Sequence, residues 1–378
     1  MRGFLRKLLL AALALGALAA LAYLSRRKIH LGDFTWSRFI HAVGQANVRL
    51  LLLSVIAVYG AYALRSLRWQ RLSRYLGSTG FGDVYKATVM GFAAIFILGR
   101  AGEPVRPLLL ARKSHQPVPG IFGVWVLERI IDFGAAGLLA ALSLLVFEEK
   151  LADAGLNTDW VENAHAGGWL LLGALAAGVV LMVYFRLHGA GVLERRLDYW
   201  HRAGGVKGWL AKIIAGFSEG LQAIRGPSDL LLAVVYTCAH WGLVALIYFW
   251  IARAFASDFV QSDVTFPGAM LLLAVTLVGS VLQLPGVGGG AQVASIIALT
   301  TIFEVEQEPA AAIAIVLWLI TFAAATLVGV PLLIHEGLSM GELRNLARAE
   351  RAAEQTGKHV SLTRVAKGGS QRESGERG

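Results

Sequence analysis

The chain has 378 residues, of which 56% are hydrophobic and 16% charged, with a net charge of +10 at pH 7. Soluble domains carry roughly 25% charged residues; here the charges gather between long apolar runs, which excludes an ordinary soluble globule, and the basic excess flanks those runs, where it sets membrane topology rather than binding nucleic acid. The one cysteine, Cys238, excludes an intrachain disulfide and a cysteine-rich zinc site, and its apolar surroundings read as those of a small buried residue.

In chain order, residues 8–24 form an Ala/Leu-rich run behind Arg2, Arg6 and Lys7. We read a retained span rather than a cleaved signal peptide, because no clear small-x-small site ends it. Residues 34–47 space Phe34, Trp36, Phe39, Ile40 and Val43 as an interfacial helix or stalk does. The span that starts near residue 50 runs into Arg65, Arg68, Arg71 and Arg74, with Trp69 among them. This is a cytoplasmic-end signal whose side chains snorkel to headgroups; direct contact with a substrate headgroup is the lesser alternative.

Residues 84–98 are short for a span, which needs about 20 residues. They stop at Gly99-Arg100-Ala101-Gly102, and Pro104 and Pro107 then open a second short piece with Glu103 placed to cap it. The pair reads as a hairpin that enters the membrane, turns at its Gly-rich tip and leaves by the same face. Irregular backbone at that depth is tolerated only inside protein or beside a water-filled cavity. Residues 118–147 are a long span that carries Glu128, Arg129 and Asp132, with Glu128 and Asp132 four apart on one face. An acidic loop with Glu148, Glu149 and Asp153 follows, then a span at 168–184 and a mixed-charge segment at 186–229 that contains an amphipathic cytoplasmic helix. Residues 230–252 are a further span, and His240 and Trp241 within it read as hydrogen-bonded core residues. Residues 266–284 run into Pro285-Gly286-Val287-Gly288-Gly289-Gly290, and 293–303 complete a second hairpin. Residues 310–334 are the last span; the tail from residue 336 is polar and disordered after Gly357.

Orientation turns these segments into an architecture. With Arg65 to Arg74 in the cytoplasm, the acidic loop after residue 147 belongs outside. A single crossing connects them only if the first hairpin is re-entrant. The same logic makes the second hairpin re-entrant from the opposite face. The expected fold is an all-α polytopic membrane protein with about six full spans plus two re-entrant helical hairpins in an inverted repeat. Residues 1–49 hold the first span and interfacial segment, 50–335 the transmembrane domain with copies at 50–147 and 230–334, and 336–378 the cytoplasmic tail. One loop disagrees: residues 25–49 carry five basic residues yet fall outside. Inverted repeats with broken helices near the midplane are what secondary transporters use for alternating access.

The motifs Gly99-Arg100-x-Gly102-Glu103-x-x-Arg106, Glu128-Arg129-x-x-Asp132 and Leu284-Pro285-Gly286-x-Gly288-Gly289 together resemble the flippase-like family of lysylphosphatidylglycerol synthase transmembrane domains. The resemblance spans roughly residues 50–335. It implies a bacterial or archaeal protein of the cytoplasmic membrane that moves or modifies lipids. Some family members continue into a soluble aminoacyl-transferase domain, which the 43 residues after 335 are too few to form. Where the family often has a glutamate after the second Gly-rich break, this chain has Gln292.

The candidate substrate-binding and coupling residues are Arg100, Glu103, Arg106, Glu128, Arg129 and Asp132, charges that are expensive within apolar segments. Glu103 with Arg106, and Arg129 with Asp132, are the natural local pairs. Arg100 and Glu128 are left over, either as a structural lock between hairpin and span or as a site where an anionic headgroup takes Arg100 and frees Glu128 to accept a proton. The tips, Gly99, Gly102, Pro285, Gly286, Gly288, Gly289, Gly290 and Gln292, precede half-helices whose free N–H groups suit phosphate, or else serve tight helix packing. No Gly-x-x-x-x-Gly-Lys-Ser/Thr loop is present. The expectation is a flippase or transporter of a lipid-like amphiphile with an anionic headgroup, without metal or cofactor. The alternatives are a membrane glycosyl- or headgroup-transferase and an accessory subunit of a lipid-synthesis complex.

Overall fold

The computed structural model describes residues 34–114, 116, 118–146, 165–177, 226–256, 264–280, 283–284 and 288–336. The expected span at 8–24, the acidic loop, the amphipathic segment before residue 226, the tail after residue 336, and Pro285 and Gly286 lie outside the described residues. The described chain is helical apart from a two-residue antiparallel pair, Gln283–Leu284 with Gly288–Gly289. In order the helices are α1 (Trp36–Gln45), α2 (Val48–Ser73), α3 (Phe81–Leu98), α4 (Val105–Ser114), α5 (Val118–Val146), α6 (His165–Ala177), α7 (Pro227–Ala254), α8 (Phe266–Gly279), α9 (Gly290–Thr301), α10 (Gln307–Trp318) and α11 (Ala324–His335). A short 3-10 turn, Gly99–Gly102, separates α3 from α4, and a π turn, Leu319–Ala323, joins α10 to α11.

Among the described residues four helical stretches are long and apolar enough to cross a membrane: α2, α3, α7 and the continuous α10–α11. Their starts follow local chemistry. The Asn47 side chain accepts hydrogen bonds from the N–H groups of Arg49 and Leu50 and so opens α2. Thr265 does the same for α8 through Gly268 N–H.

Contacts at the two ends of the bundle fix how the chain runs. At one end Arg71 pairs with Asp229 at 2.6 Å, Gln116 donates to the Gly77 carbonyl at 3.1 Å, and Lys113 bonds Glu336. That bond holds the Glu336 carboxyl below its ordinary value of 4.5. At the other end Asn47 N–H bonds the Ala254 carbonyl at 2.7 Å, and Thr35 N–H bonds the Glu308 carboxylate at 3.0 Å. Helix α3 therefore starts, and α4 finishes, at the end that holds Arg71.

Both chain reversals depend on glycine at close approaches. A Cβ on Gly91 would lie 2.6 Å from Arg106 Cβ, and one on Gly102 would lie 2.3 Å from the Ala94 carbonyl oxygen, so α4 folds back directly along α3. Gly99 takes φ 62°, a turn that glycine makes without strain. In the second reversal a Cβ on Gly279 would lie 2.3 Å from the Gly290 carbonyl oxygen, while Thr276 and Ser295 hydroxyls bond at 2.8 Å between α8 and α9. The two reversals meet: Gln283–Leu284 packs against the Gly99–Gly102 turn.

The apolar core has two centres. One gathers α7 to α10 around Ile251, Leu272, Leu299 and Ile313; the other gathers the end of α2 with α3, α4 and α5 around Trp69, Met90, Leu110 and Leu127. Cys238 corrects an expectation. It is exposed on α7, on the same outer face as Val234, Val235 and Leu231. In a bilayer such a face meets lipid tails, so an apolar setting in the sequence does not imply burial in protein.

Candidate functional site

Helices α2, α4 and α5 converge on one group of buried charges. The burying stripe of α2 runs Val58, Ala61, Tyr62, Arg65, Arg68, Trp69 and Leu72, at spacings of three and four. Arg65 and Arg68 therefore point inward with the apolar residues. Helix α5 supplies Glu128 and Asp132 one turn apart on its inner face, and α4 supplies Arg106 from the returning limb of the first reversal.

Glu128 is the centre. It has 0% exposure, and its Oε1 accepts from Arg65 Nε at 2.7 Å, Arg68 Nη2 at 3.2 Å, and Arg106 Nη1 and Nη2 at 3.1 and 3.2 Å. Its Oε2 accepts from the Trp69 indole N–H. Asp132 accepts from Arg68 Nη2 at 2.7 Å through Oδ1 and from Arg65 Nη2 through Oδ2. The second half of the chain also reaches in: Arg68 Nη1 donates to the Thr237 hydroxyl on α7 at 2.8 Å. Two aromatic rings hold guanidinium planes, Trp69 under Arg106 at 4.7 Å and Phe92 under Arg65 at 5.3 Å.

The charge balance of this cluster is uneven. Among its described residues three arginines meet two carboxylates, an excess of one positive charge, and Arg129 stands next to Glu128 on the same helix. The Nε donors of Arg68, Arg106 and Arg129 are buried without a hydrogen-bond partner among the described residues. Arginine Nε and one Nη form a fork suited to carboxylate or phosphate oxygens. Arg65 lies eight residues before the end of α2, about 12 Å of helix from the end that holds Arg71.

The sequence-based pairing needs correction. Among the described residues Glu103 does not pair with Arg106, nor Arg129 with Asp132; Arg106 reaches Glu128, and Asp132 takes Arg65 and Arg68. Glu103 is half-buried beside the turn, away from this ion-pair set. Arg100 lies in the Gly99–Gly102 turn, and its side chain is outside the described residues. Arg65 and Arg68 do not snorkel to headgroups; they are 7% and 1% exposed and ion-paired. Local pairing fails because facing helices offer partners at better angles than three or four residues along one helix can.

Among the described residues the second reversal carries no such cluster. Gly288 and Gly289 pair with Leu284 and Gln283, Gly289 takes φ 129°, and Gly290 begins α9. Gln292 accepts the Gly289 N–H at 2.6 Å, so the amide serves to cap α9. His240 bonds the Ala61 carbonyl at 3.1 Å from within α7, as expected of a core residue, and packs edge-on against Trp241, whose indole N–H, against expectation, is buried without a hydrogen-bond partner among the described residues.

With this geometry in view, two comparisons bear on the chain. The model of the lysylphosphatidylglycerol synthase TM region matches residues 8–329. The chain is also similar to a UPF0104 membrane protein of Methanothermobacter thermautotrophicus, with 22% identity over 325 residues that cover 80% of this chain and 89% of that protein.

Proposed function

Because the chain belongs to the family of the lysylphosphatidylglycerol synthase TM region, we propose that it moves an amphiphile with an anionic headgroup, a lipid foremost, across the cytoplasmic membrane. The observation that carries this reading is the buried excess of arginine over carboxylate around Glu128. An uncompensated positive charge among buried groups is costly. A phosphate or carboxylate headgroup removes that cost when bound, and the cost returns when the ligand leaves. Arg106 is the arginine placed to receive it. Arg65 and Arg68 are shared between Glu128 and Asp132, whereas among the described residues Arg106 pairs with Glu128 alone and its Nε has no partner.

The proposal includes the architecture that transport requires: six spans and two re-entrant hairpins in an inverted repeat, with the tail in the cytoplasm. Packing supports it. Helices α2 and α7, the first of each copy, pack on one another. Hairpin helix α3 packs on α11 of the other copy, and its counterpart α8 packs on α5. The hairpins α3–α4 and α8–α9 start and finish at opposite ends and touch at their tips.

The test is reconstitution in liposomes that contain fluorescent phosphatidylglycerol or, in a parallel set, fluorescent phosphatidylcholine. Leaflet exchange is read by one-sided quenching. The expected result is faster exchange of the anionic lipid with protein present and loss of that gain in Arg106→Gln. Equal rates for the two lipids, or an undiminished rate in Arg106→Gln, would overturn it. Chemical conversion of the lipid, read by mass spectrometry, would transfer support to a headgroup-transferase.

A further inference from the structure

The last helix is broken by a π turn that belongs to the second copy and packs on α2 and α3 of the first. Ala324 N–H bonds the Leu319 carbonyl, five residues back rather than four. Four side-chain hydroxyls bond backbone carbonyls in and beside this turn. Tyr59 donates to the Ala324 carbonyl at 2.7 Å and Tyr62 to the Thr321 carbonyl at 3.4 Å, both from α2. Thr321 donates to Leu317 and Thr326 to Ala323, each at 2.6 Å. The segments on either side have different partners. Helix α10 packs on α9 and α1, whereas α11 packs on α3, where Gly329 brings it so close that a Cβ there would lie 2.7 Å from the Val89 carbonyl oxygen. The π turn thus joins a segment that packs on the second hairpin to one that packs on the first.

One of these tyrosines, Tyr62, is one ring away from the charged cluster. Tyr62 stacks on Phe92 with ring centroids 4.7 Å apart, and Phe92 lies under the Arg65 guanidinium. Arg65 is one turn from Tyr62 and bonds both Glu128 and Asp132. Arg65 is therefore linked through one ring to the side chain that holds the turn. Pro331 adds a second weak point in α11, since it cannot donate to the carbonyl four residues back.

We propose that residues 319–323 are a hinge, and that the Tyr59 and Tyr62 hydroxyls latch it in the conformation seen here. Opening it swings α11 with the first hairpin relative to α10 with the second. The latch lies within one ring of Arg65, so occupancy of the charged cluster and the angle of the hinge bias each other. The movement is a property of the fold and stands apart from the identity of any cargo.

The experiment is a distance measurement between nitroxides at Val293→Cys on α9 and Ile334→Cys on α11, both exposed positions, in a Cys238→Ser chain held in lipid nanodiscs. The unaltered chain gives one dominant distance. Tyr59→Phe with Tyr62→Phe, which removes two hydroxyls and keeps both rings, raises a second distance by roughly five- to tenfold in population. A distribution unchanged in the double variant overturns the proposal, whether or not its melting temperature falls; a fall alone shows that the tyrosines only stabilise packing. Should the double variant fail to fold, Tyr59→Phe alone is read the same way. Amide exchange at residues 319–326 gives the second readout: faster in the variants if the turn is a latched hinge, unchanged if it is not.

Discussion

Arg106 lays its guanidinium on the ring of Trp69, 4.7 Å from the centroid, and both side chains end on Glu128. The ring thus supports the arginine from below while its indole N–H occupies the second carboxylate oxygen. Trp69→Phe keeps a ring and removes the N–H. It should cost about 1 to 3 kcal/mol of stability, because a buried charged acceptor loses a donor. Arg106→Lys keeps the charge but gives up the planar stack and the two-pronged grip, which is not a conservative change at such a site. Thermal unfolding in detergent reads both: each variant should melt below the unaltered chain, and a melting temperature unchanged for Trp69→Phe would mean that the indole contact carries nothing.

Glu128 balances more than one arginine, so its removal should be worse than removal of any partner. Glu128→Ala leaves Arg65, Arg68 and Arg106 with Asp132 alone. Breaking a buried pair from one side typically costs about 3 to 5 kcal/mol. Arg106→Ala in the same chain removes part of the stranded charge. The double variant should therefore be more stable than the sum of the two single losses predicts, by at least about 1 kcal/mol. Simple additivity in the unfolding energies would show that the arginines do not share the carboxylate.

Much of this arrangement was legible in the amino-acid order, and the parts that were not have a physical reason. Charges within apolar runs singled out Arg106, Glu128 and Asp132, since the bilayer makes such residues costly. Apolar runs of limited length, interrupted at Gly99 to Gly102 and at Gly288 to Gly290, pointed to two reversals, and the described chain does reverse after α3 and after α8. Arg65 and Arg68 were misread because an arginine near the end of a span looks the same whether it reaches headgroups or turns inward. The distinguishing signal was periodicity: Arg65 continues the stripe of Val58 and Tyr62, with Trp69 and Leu72 beyond, whereas Arg74 falls off it and is exposed. Thr237 gave no signal, because a single threonine in an apolar helix acquires meaning only when another helix brings Arg68 to it.

Gly329 is a packing residue that tolerates no side chain. A Cβ there would lie 2.6 Å from Ala93 Cβ and 2.7 Å from the Val89 carbonyl oxygen, and backbone does not yield as a flexible side chain does. Small residues are what let helices approach this closely in a membrane. Gly329→Val should force α11 off α3 and cost about 1 to 3 kcal/mol. Gly44→Ala is the control, since nothing lies within 4 Å of a Cβ at that position. Unfolding midpoints of the two variants should separate clearly, and coincident midpoints would contradict the close crossing.

Sided labelling tests the first reversal as a re-entrant hairpin. Ser78 precedes α3, Ser114 ends α4, and Gln307 begins α10 at the end where Thr35 meets Glu308. Gln116 and Gly77 bond at 3.1 Å, so the first two positions share an end of the bundle. With Cys238→Ser as background, single cysteines at Ser78, Ser114 and Gln307 are exposed to a membrane-impermeant thiol reagent in intact cells and then after lysis. Ser78→Cys and Ser114→Cys should react only after lysis, as cytoplasmic positions do, and Gln307→Cys in intact cells. Labelling of Ser78→Cys and Ser114→Cys from opposite faces would make α3, which has the length and apolarity to cross, an ordinary span. The two copies would then no longer be inverted with respect to each other, and alternating access about the Glu128 cluster would lose its structural basis. Labelling of all three from one face would instead leave the first hairpin in place and contradict the odd number of crossings between α4 and α10 (α5, the span expected at 168–184, and α7) on which the inversion of the copies rests.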